Sequence, residues 1–177
     1  CAEHRAPFHS LMASPSSRLK VEVLSIGDEL LIGQTVNTNA AWMGRALEDE
    51  GWHVTRCVVI PDDRMTMLKA LREAEARSEL VLLTGGLGPT RDDITKHVLC
   101  EHHRTDLVRH PDIEDRIVAW FERRGREVLQ VNRDQALLPA DCVVLDNPLG
   151  TASGMWFDRD GGVTVSMPGV PYEMEHI

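Results

Sequence analysis

Residues 80–93 read Leu-Val-Leu-Leu-Thr-Gly-Gly-Leu-Gly-Pro-Thr-Arg-Asp-Asp, so an apolar run is followed by a glycine-rich turn and two carboxylates. The run Leu80–Leu83 lies between a charged segment and a turn, which predicts a short buried strand. The glycines after it lack a Cβ atom, so their backbone N–H groups can approach a ligand closely and adopt positive φ. We expect Asp92 and Asp93 to open the next helix.

The composition of this turn indicates the kind of ligand it binds. Glycines alone would predict an anion nest, in which backbone amides and a helix N-terminus hold a phosphate. Two carboxylates beside such a nest would repel the phosphate unless a hard divalent cation, typically Mg²⁺, lay between them. The segment therefore predicts a metal-assisted site for a phosphorylated ligand. A tight glycine turn with an acidic helix cap remains the alternative.

The whole chain fits a single enzyme domain. A length of 177 residues is enough for one domain with a full core. The net charge of −9 argues against nucleic acid and anionic membranes as main partners, although it leaves room for a small anionic ligand. No apolar run reaches the roughly 18–20 residues of a membrane helix.

The cysteines indicate the cellular compartment. Four of them are scattered along the chain and form no Cys-x-x-Cys pair. This spacing predicts a reducing, cytoplasmic setting without a zinc site. Cys57 and Cys142 lie in strand-like runs, where we expect buried free thiols.

The two ends of the chain differ from its middle. Residues 1–19 lack periodicity and the apolar core of a signal peptide, so we expect a flexible N-terminal extension. Residues 20–177 are expected to form one domain. Tyr172–Ile177 is typical of the first turns of a helix, which predicts that this domain is cut short at its C-terminus.

Strands and helices alternate along the domain. The predicted strands are residues 21–26, 52–60, 80–83 and 143–145, with a hairpin formed by 155–157 and 163–166. The predicted helices are residues 38–50, 64–76, 92–101 and 113–124. This order predicts an α/β fold with a largely parallel sheet, helices on both faces and an added antiparallel hairpin.

Ligands of open α/β sheets bind beyond the carboxyl ends of the strands. Four segments rich in Gly, Pro or acidic residues are predicted there, namely residues 27–33, 61–63, 84–93 and 168–171. Each could be an ordinary turn. Their common position at one edge of the sheet favours a binding site.

The same segments resemble a known family. Ile26-Gly27-Asp28-Glu29-Leu30-Leu31, Thr84–Asp93, Asn147-Pro148-Leu149-Gly150-Thr151-Ala152 and Pro168-Gly169-Val170-Pro171 occur in the order found in the N-terminal domain of CinA (competence/damage-inducible protein A). That domain belongs to the MoaB/MogA-like, molybdopterin-binding superfamily. The resemblance implies a three-layer α/β/α fold and a metal-dependent pyrophosphatase acting on ADP-ribose or a related dinucleotide. Longer family members often carry a C-terminal amidase domain, whose activity is not expected of these 177 residues.

The resemblance assigns roles to individual residues. Divalent ions would be held by Asp62, Asp92 and Asp93, which are also the catalytic candidates, with Glu29 as a further ligand. The substrate candidates are Gly85, Gly86, Gly88, Thr84, Thr90, Asn39 and Gly169. Thr84 and Thr90 could equally well be turn caps.

Two other functions stay open. The domain could bind a pterin or nucleotide without turnover, or transfer a nucleotide as molybdenum-cofactor enzymes do. The carboxylates favour hydrolysis, because pure phosphate binding does not need them. Homo-oligomerisation also stays open.

Several other polar residues are expected to be structural. Lys96 lies one helical turn after Asp92 and could pair with it or with a phosphate. We expect an ordinary surface ion pair. His102 and His103 are expected to be cations that suit a helix C-terminus.

Overall fold

A six-stranded sheet forms the centre of the fold in the computed structural model, which describes residues 19–90 and 93–177. Its strands, in sheet order, are β2 (His53–Ile60), β1 (Lys20–Ile26), β3 (Leu80–Thr84), β8 (Gly162–Met167), β7 (Gly154–Arg159) and β6 (Val143–Leu145). The first four run parallel, while β7 and β6 are antiparallel to their neighbours. The predicted parallel sheet with an antiparallel hairpin is therefore confirmed.

Helices cover both faces of the sheet. They are α1 (Asp28–Leu31), α2 (Thr38–Asp49), α3 (Arg64–Glu75), α4 (Thr95–His103), α5 (Pro111–Glu122), α6 (Gln130–Arg133) and α7 (Pro171–Met174). Asn37 caps α2 by accepting a hydrogen bond from the Ala40 N–H, and Asp63 caps α3 in the same way at Thr66. Among the described residues, no helix combines the length and apolar character needed to cross a bilayer.

Each face of the sheet has its own apolar core, because alternate residues of a strand point to opposite sides. On β1, Leu24 and Ile26 point to the face covered by α3, α4 and α5, whereas Val21 and Val23 point to the face covered by α2 and α7. The buried strand β3 alternates in the same way. These three layers confirm the α/β/α architecture.

Two expectations for local structure were wrong. The helix predicted to open at Asp92 begins at Thr95; Asp92 itself, like nearly all of residues 1–19, lies outside the described residues. Cys57, expected to be buried, is exposed because β2 is an edge strand of the sheet. The sequence also missed a two-stranded sheet of β4 (Leu107–Arg109) and β5 (Leu137–Pro139), whose three-residue strands are too short to show a period.

An ion pair between buried Glu22 and partly exposed Arg77 ties β1 to the segment after α3. The Glu22 side chain is 2% exposed and accepts hydrogen bonds of 2.8 and 3.0 Å from the Arg77 guanidinium. The Arg77 hydrogen bond lowers the pKa of Glu22, outweighing the burial that raises it. Ionised Glu22 therefore stabilises the fold above the ordinary pKa of 4.5, and this contribution is lost as pH falls through the lowered value.

Arg77→Met should lower the unfolding midpoint in urea at pH 7, because it leaves the buried carboxylate without its cation. The deficit should shrink as the pH is lowered and Glu22 becomes protonated in the variant. Lys69→Met is the matched control, since Lys69 forms only an exposed pair with Glu73. Equal effects of the two substitutions, or a deficit that does not change with pH, would contradict this account.

Candidate active site

A cleft of about 580 Å³ opens at the carboxyl edge of the parallel strands. Of the residues predicted from the sequence, it is lined by Glu29, Asn39, Asp62, Thr84, Gly85, Gly86, Gly88, Asp93 and Gly169. Thr90 lines a smaller adjoining cleft instead. The segments that follow β1, β2, β3 and β8 thus meet as expected for a doubly covered sheet.

The glycine turn after β3 needs glycine for reasons of backbone shape. Gly85 has φ of 111°, and a Cβ atom there would lie 2.3 Å from the Ile26 carbonyl oxygen. Gly86 has φ of 65°, and its Cβ would lie 2.2 Å from Thr95 Oγ1. Both positions are therefore closed to side chains.

The amides of this turn are not all available to a ligand. Gly85 donates its N–H to the Met167 carbonyl oxygen at 3.2 Å, so Gly85 shapes the turn without offering a donor. The N–H groups of Gly86 and Gly88 have no acceptor among the described residues. These two amides are the turn's donors for a phosphate oxygen.

The carboxylates of Asp28, Glu29, Asp62 and Asp93 line the same cleft as the glycine turn. Asp62 Oδ2 accepts a hydrogen bond of 3.1 Å from the Asp28 N–H. Burial raises the pKa of Asp62, and the nearby charges of Asp28, Glu29 and Asp93 raise it further against the lowering effect of the Asp28 N–H. Such mutual repulsion is relieved by a divalent cation, for which carboxylate oxygens are the preferred ligands.

Asp28 joins this group although the sequence did not single it out. Asp28 lies beside Glu29 just after β1. This pair of adjacent acidic residues is the signal that could have identified Asp28 from the sequence. The sequence analysis had named only Glu29 of this pair as a metal ligand. The structure places both in the cleft.

Asp93 is held by its own turn. Its Oδ2 atom accepts hydrogen bonds from the Thr90 N–H, at 2.9 Å, and from the Thr90 hydroxyl. Thr90 therefore caps this turn, which is one of the two roles left open for it. The carboxylate of Asp93 packs against Gly88, where a Cβ atom would lie 2.6 Å from it.

A buried polar network fixes another wall of the cleft. Asn39 donates through Nδ2 to Thr84 Oγ1 at 2.8 Å and to the Gly169 carbonyl at 2.9 Å. Thr84 in turn donates its hydroxyl hydrogen to the Pro168 carbonyl at 2.8 Å. These groups join α2, β3 and the turn after β8, so Thr84 and Asn39 position the cleft.

One segment of the family resemblance lies away from the cleft. Asn147 is fully buried, donates to the Ala152 carbonyl and to the Glu173 carboxylate, and accepts from the N–H groups of Leu149 and Gly150. All of its hydrogen-bonding capacity is used inside the protein. This motif therefore stabilises a loop and is absent from the lining of the cleft.

The structure gives partners to three side chains that were expected to be structural. His103 stacks on Phe157 with ring centroids 4.1 Å apart, and burial, assisted by the His102 charge, lowers the pKa of His103 to about 4. It is therefore neutral at physiological pH and does not serve as a cation at the helix end. His102 pairs with the Glu75 carboxylate at 2.7 Å. Lys96 donates to two backbone carbonyls, while its predicted partner Asp92 lies outside the described residues.

Comparisons with known proteins identify the family of the chain. Residues 22–177 match the family model described as "Probable molybdopterin binding domain". A CinA-like protein of Cytophaga hutchinsonii is 44% identical over 162 residues, which are 92% of this chain and 39% of that protein. A CinA-like protein of Salinibacter ruber is 42% identical over 160 residues, covering 90% of this chain and 39% of its own length. The chain thus spans about two fifths of these curated relatives.

Solved structures show the same fold. The crystal structure of CinA from Thermoplasma acidophilum superposes with a TM-score of 0.80 at 36% identity, covering 90% of this chain and 93% of that one. The molybdopterin biosynthesis enzyme MoaB from Thermus thermophilus gives a TM-score of 0.58 at 19% identity, covering 88% and 84%. The second likeness concerns the fold alone.

Proposed function

Because the chain belongs to the molybdopterin-binding domain family, as a CinA-type N-terminal domain, we propose that its cleft hydrolyses the diphosphate of ADP-ribose or a related dinucleotide with the help of a divalent cation such as Mg²⁺. The observation that carries this proposal is that the carboxylates of Asp28, Glu29, Asp62 and Asp93 line one cleft together with the glycine turn after β3. A site that only bound phosphate would be weakened by these charges.

The donor set fits a hard divalent cation. The four carboxylates offer oxygen ligands, and the raised pKa of Asp62 reflects the repulsion that a cation would remove. Asp62 and Asp93 would hold the ion, with Glu29 and Asp28 as further ligands and Asp92 as a candidate outside the described residues. When bound, such an ion neutralises a diphosphate and stabilises the charge on its leaving phosphate.

The remaining residues of the cleft bind and orient the substrate. The free N–H groups of Gly86 and Gly88 would donate to phosphate oxygens, while the closed backbone at Gly85 holds them in place. The network of Asn39 and Thr84 keeps the opposite wall fixed, which limits the positions that a bound diphosphate can adopt.

A second candidate function is pterin or nucleotide binding without hydrolysis, or nucleotidyl transfer to a pterin. The family description and the fold shared with MoaB favour it. The described residues that line the cleft include no lysine or arginine, and Lys96 in an adjoining cleft is a single lysine, so no basic cluster is offered to a separate anionic acceptor. This observation favours water as the acceptor.

Titration of ADP-ribose with and without Mg²⁺, followed by product analysis, separates these functions. We expect Mg²⁺ to strengthen binding and AMP to accumulate. Tight binding without products would support the binding module instead. Failure of ADP-ribose to bind under both conditions would refute the proposed substrate.

Asp62→Asn should raise the Tm of the metal-free protein at pH 7, because it removes a carboxylate whose ionisation opposes folding. The folded protein raises the pKa of Asp62 above the ordinary 3.8, so protonated Asp62 contributes to stability at low pH. This contribution is lost as pH rises through the raised pKa. The gain should therefore disappear in acid. Mg²⁺ should reverse the order of the two Tm values, because it stabilises the native protein more than the variant.

Thermal unfolding in EDTA and in Mg²⁺, across a pH series, measures this effect. Asp160→Asn, in the exposed hairpin turn, is the matched control and should respond to neither. Loss of Tm in the Asp62→Asn variant at pH 7 in EDTA would show that Asp62 is instead a stabilising carboxylate.

A further inference from the structure

A second, smaller cleft adjoins the first. Its volume is about 250 Å³, and the two clefts meet at Gly88 and Asp93, which line both. The other side chains that matter are Lys96, on the first turn of α4, and Gln135, in the short 3-10 helix before β5. The sequence did not connect these two residues, which lie together because Lys96 contacts the backbone on either side of Gln135.

Gln135 is an unusual group to find in a cleft wall. Its residue is 4% exposed, and its Oε1 atom is buried without a hydrogen-bond partner among the described residues. A buried acceptor that has lost water and gained no donor is costly to the folded protein. A ligand hydroxyl entering the cleft would supply the missing donor.

Lys96 adds a cation to the same cleft. Its ammonium donates to the carbonyl oxygens of Asp134 and Leu137 at 3.2 and 3.0 Å. An ammonium has three donors, so one N–H remains after these two bonds. The backbone bonds hold Nζ in place, so its charge is positioned before a ligand arrives.

The size of the second cleft restricts its occupant. Sites for whole small-molecule ligands measure roughly 300–1,000 Å³. The second cleft is below that range whereas the first is within it. Because the two share Gly88 and Asp93, a ligand extending from the first cleft can place one end in the second.

We propose that the second cleft is a subsite for the sugar-phosphate half of the substrate, with the Lys96 ammonium pairing with the phosphate on that side of the scissile bond and Gln135 Oε1 accepting a hydrogen bond from a sugar hydroxyl. This inference rests on the proposed function and makes it more specific: the substrate class is a nucleoside diphosphate sugar. The nucleotide half lies in the larger cleft, and the diphosphate passes Asp93.

Gln135→Leu tests the subsite by its effect on two ligands. Calorimetry should show ADP-ribose binding weakened roughly three- to tenfold, the range for one hydrogen bond. AMP binding should be unchanged, because AMP occupies only the larger cleft. The Tm of the ligand-free variant should rise, since an unpartnered buried acceptor is removed. A residue that was merely structural would not lower affinity for one ligand while raising stability.

Gln130→Leu is the matched control, because Gln130 is exposed on the neighbouring α6 and does not line the cleft. Lys96→Met should weaken ADP-ribose binding by tenfold or more, again without affecting AMP. Since Lys96 also holds α4 to the backbone near β5, the Gln135 variant decides the matter if the Lys96 variant does not fold.

Ribose 5-phosphate, titrated alone and followed by NMR, distinguishes failure of the subsite from failure of the proposed function. We expect weak binding to the native protein that is lost in Gln135→Leu. If ribose 5-phosphate binds in this way but ADP-ribose does not, the result supports the subsite and refutes the proposed substrate. If ADP-ribose binds the native protein and both variants equally, the subsite is refuted and the proposed function survives. Failure of both ligands to bind would refute both.

Discussion

Mg²⁺-dependent turnover of ADP-ribose should fall roughly a thousandfold when Asp62 and Asp93 are both replaced by asparagine, because several kcal/mol of charge stabilisation are removed. Asparagine keeps the size of each side chain and can still accept the hydrogen bonds from the Asp28 and Thr90 N–H groups. The substitution therefore removes charge with little change of shape.

Rates measured over a range of Mg²⁺ concentrations, with circular dichroism to confirm the fold, check this expectation. The double variant Asp141→Asn with Asp160→Asn is the control, since it removes the same charge from exposed turns. Native-like turnover in the Asp62 and Asp93 variant would show that the metal-binding site lies elsewhere. Unfolding of that variant would assign these carboxylates a stabilising role.

Asn147→Leu should lower the free energy of unfolding by about 4 kcal/mol, because leucine fills the space without making any of the four hydrogen bonds. Two backbone N–H groups, one carbonyl and the Glu173 carboxylate would be left unpaired in the interior. Each unpaired buried group costs about 1–3 kcal/mol, with partial relief from local rearrangement.

Urea denaturation measures this loss, and Asn132→Leu provides a graded control. Asn132 accepts a single hydrogen bond, from the Leu129 N–H at the start of α6, so its replacement should cost about 1 kcal/mol. A loss in Asn147→Leu no larger than in the control would contradict the structural role assigned to this motif. Loss of ligand binding without loss of stability would instead assign the Asn147 motif to the active site.

The sequence predicted the central layers because their signal is local. The run Leu80–Leu83 is apolar throughout, as expected for a strand covered on both faces, and the glycines after it mark the strand's end. Once the order of strands and helices was established, the segments that lie at the carboxyl edge of the sheet could be inferred. Asp62 and Asp93, which are 31 positions apart, were therefore predicted to lie at one edge of the sheet, and both line the cleft there.

Roles that depend on side-chain partners could not be predicted in this way. The hydroxyl of Thr84 and the amide nitrogen of Asn39 have the right chemistry for a ligand, yet each is occupied by a protein partner that is distant in sequence. Gln135 gave no signal at all, because its unpartnered acceptor exists only after β4 and β5 have paired. Such features arise from tertiary packing.

The source of oxygen in the products tests the central claim most directly. ADP-ribose is incubated with the protein and Mg²⁺ in ¹⁸O-water, and the phosphates of the products are analysed by mass spectrometry. We predict AMP and ribose 5-phosphate in equal amounts, one of them carrying a single oxygen from solvent, because water attacks one phosphorus as the bridging oxygen leaves with the other. Unlabelled products that form only when an acceptor phosphate is added would contradict hydrolysis and identify the domain as a transferase.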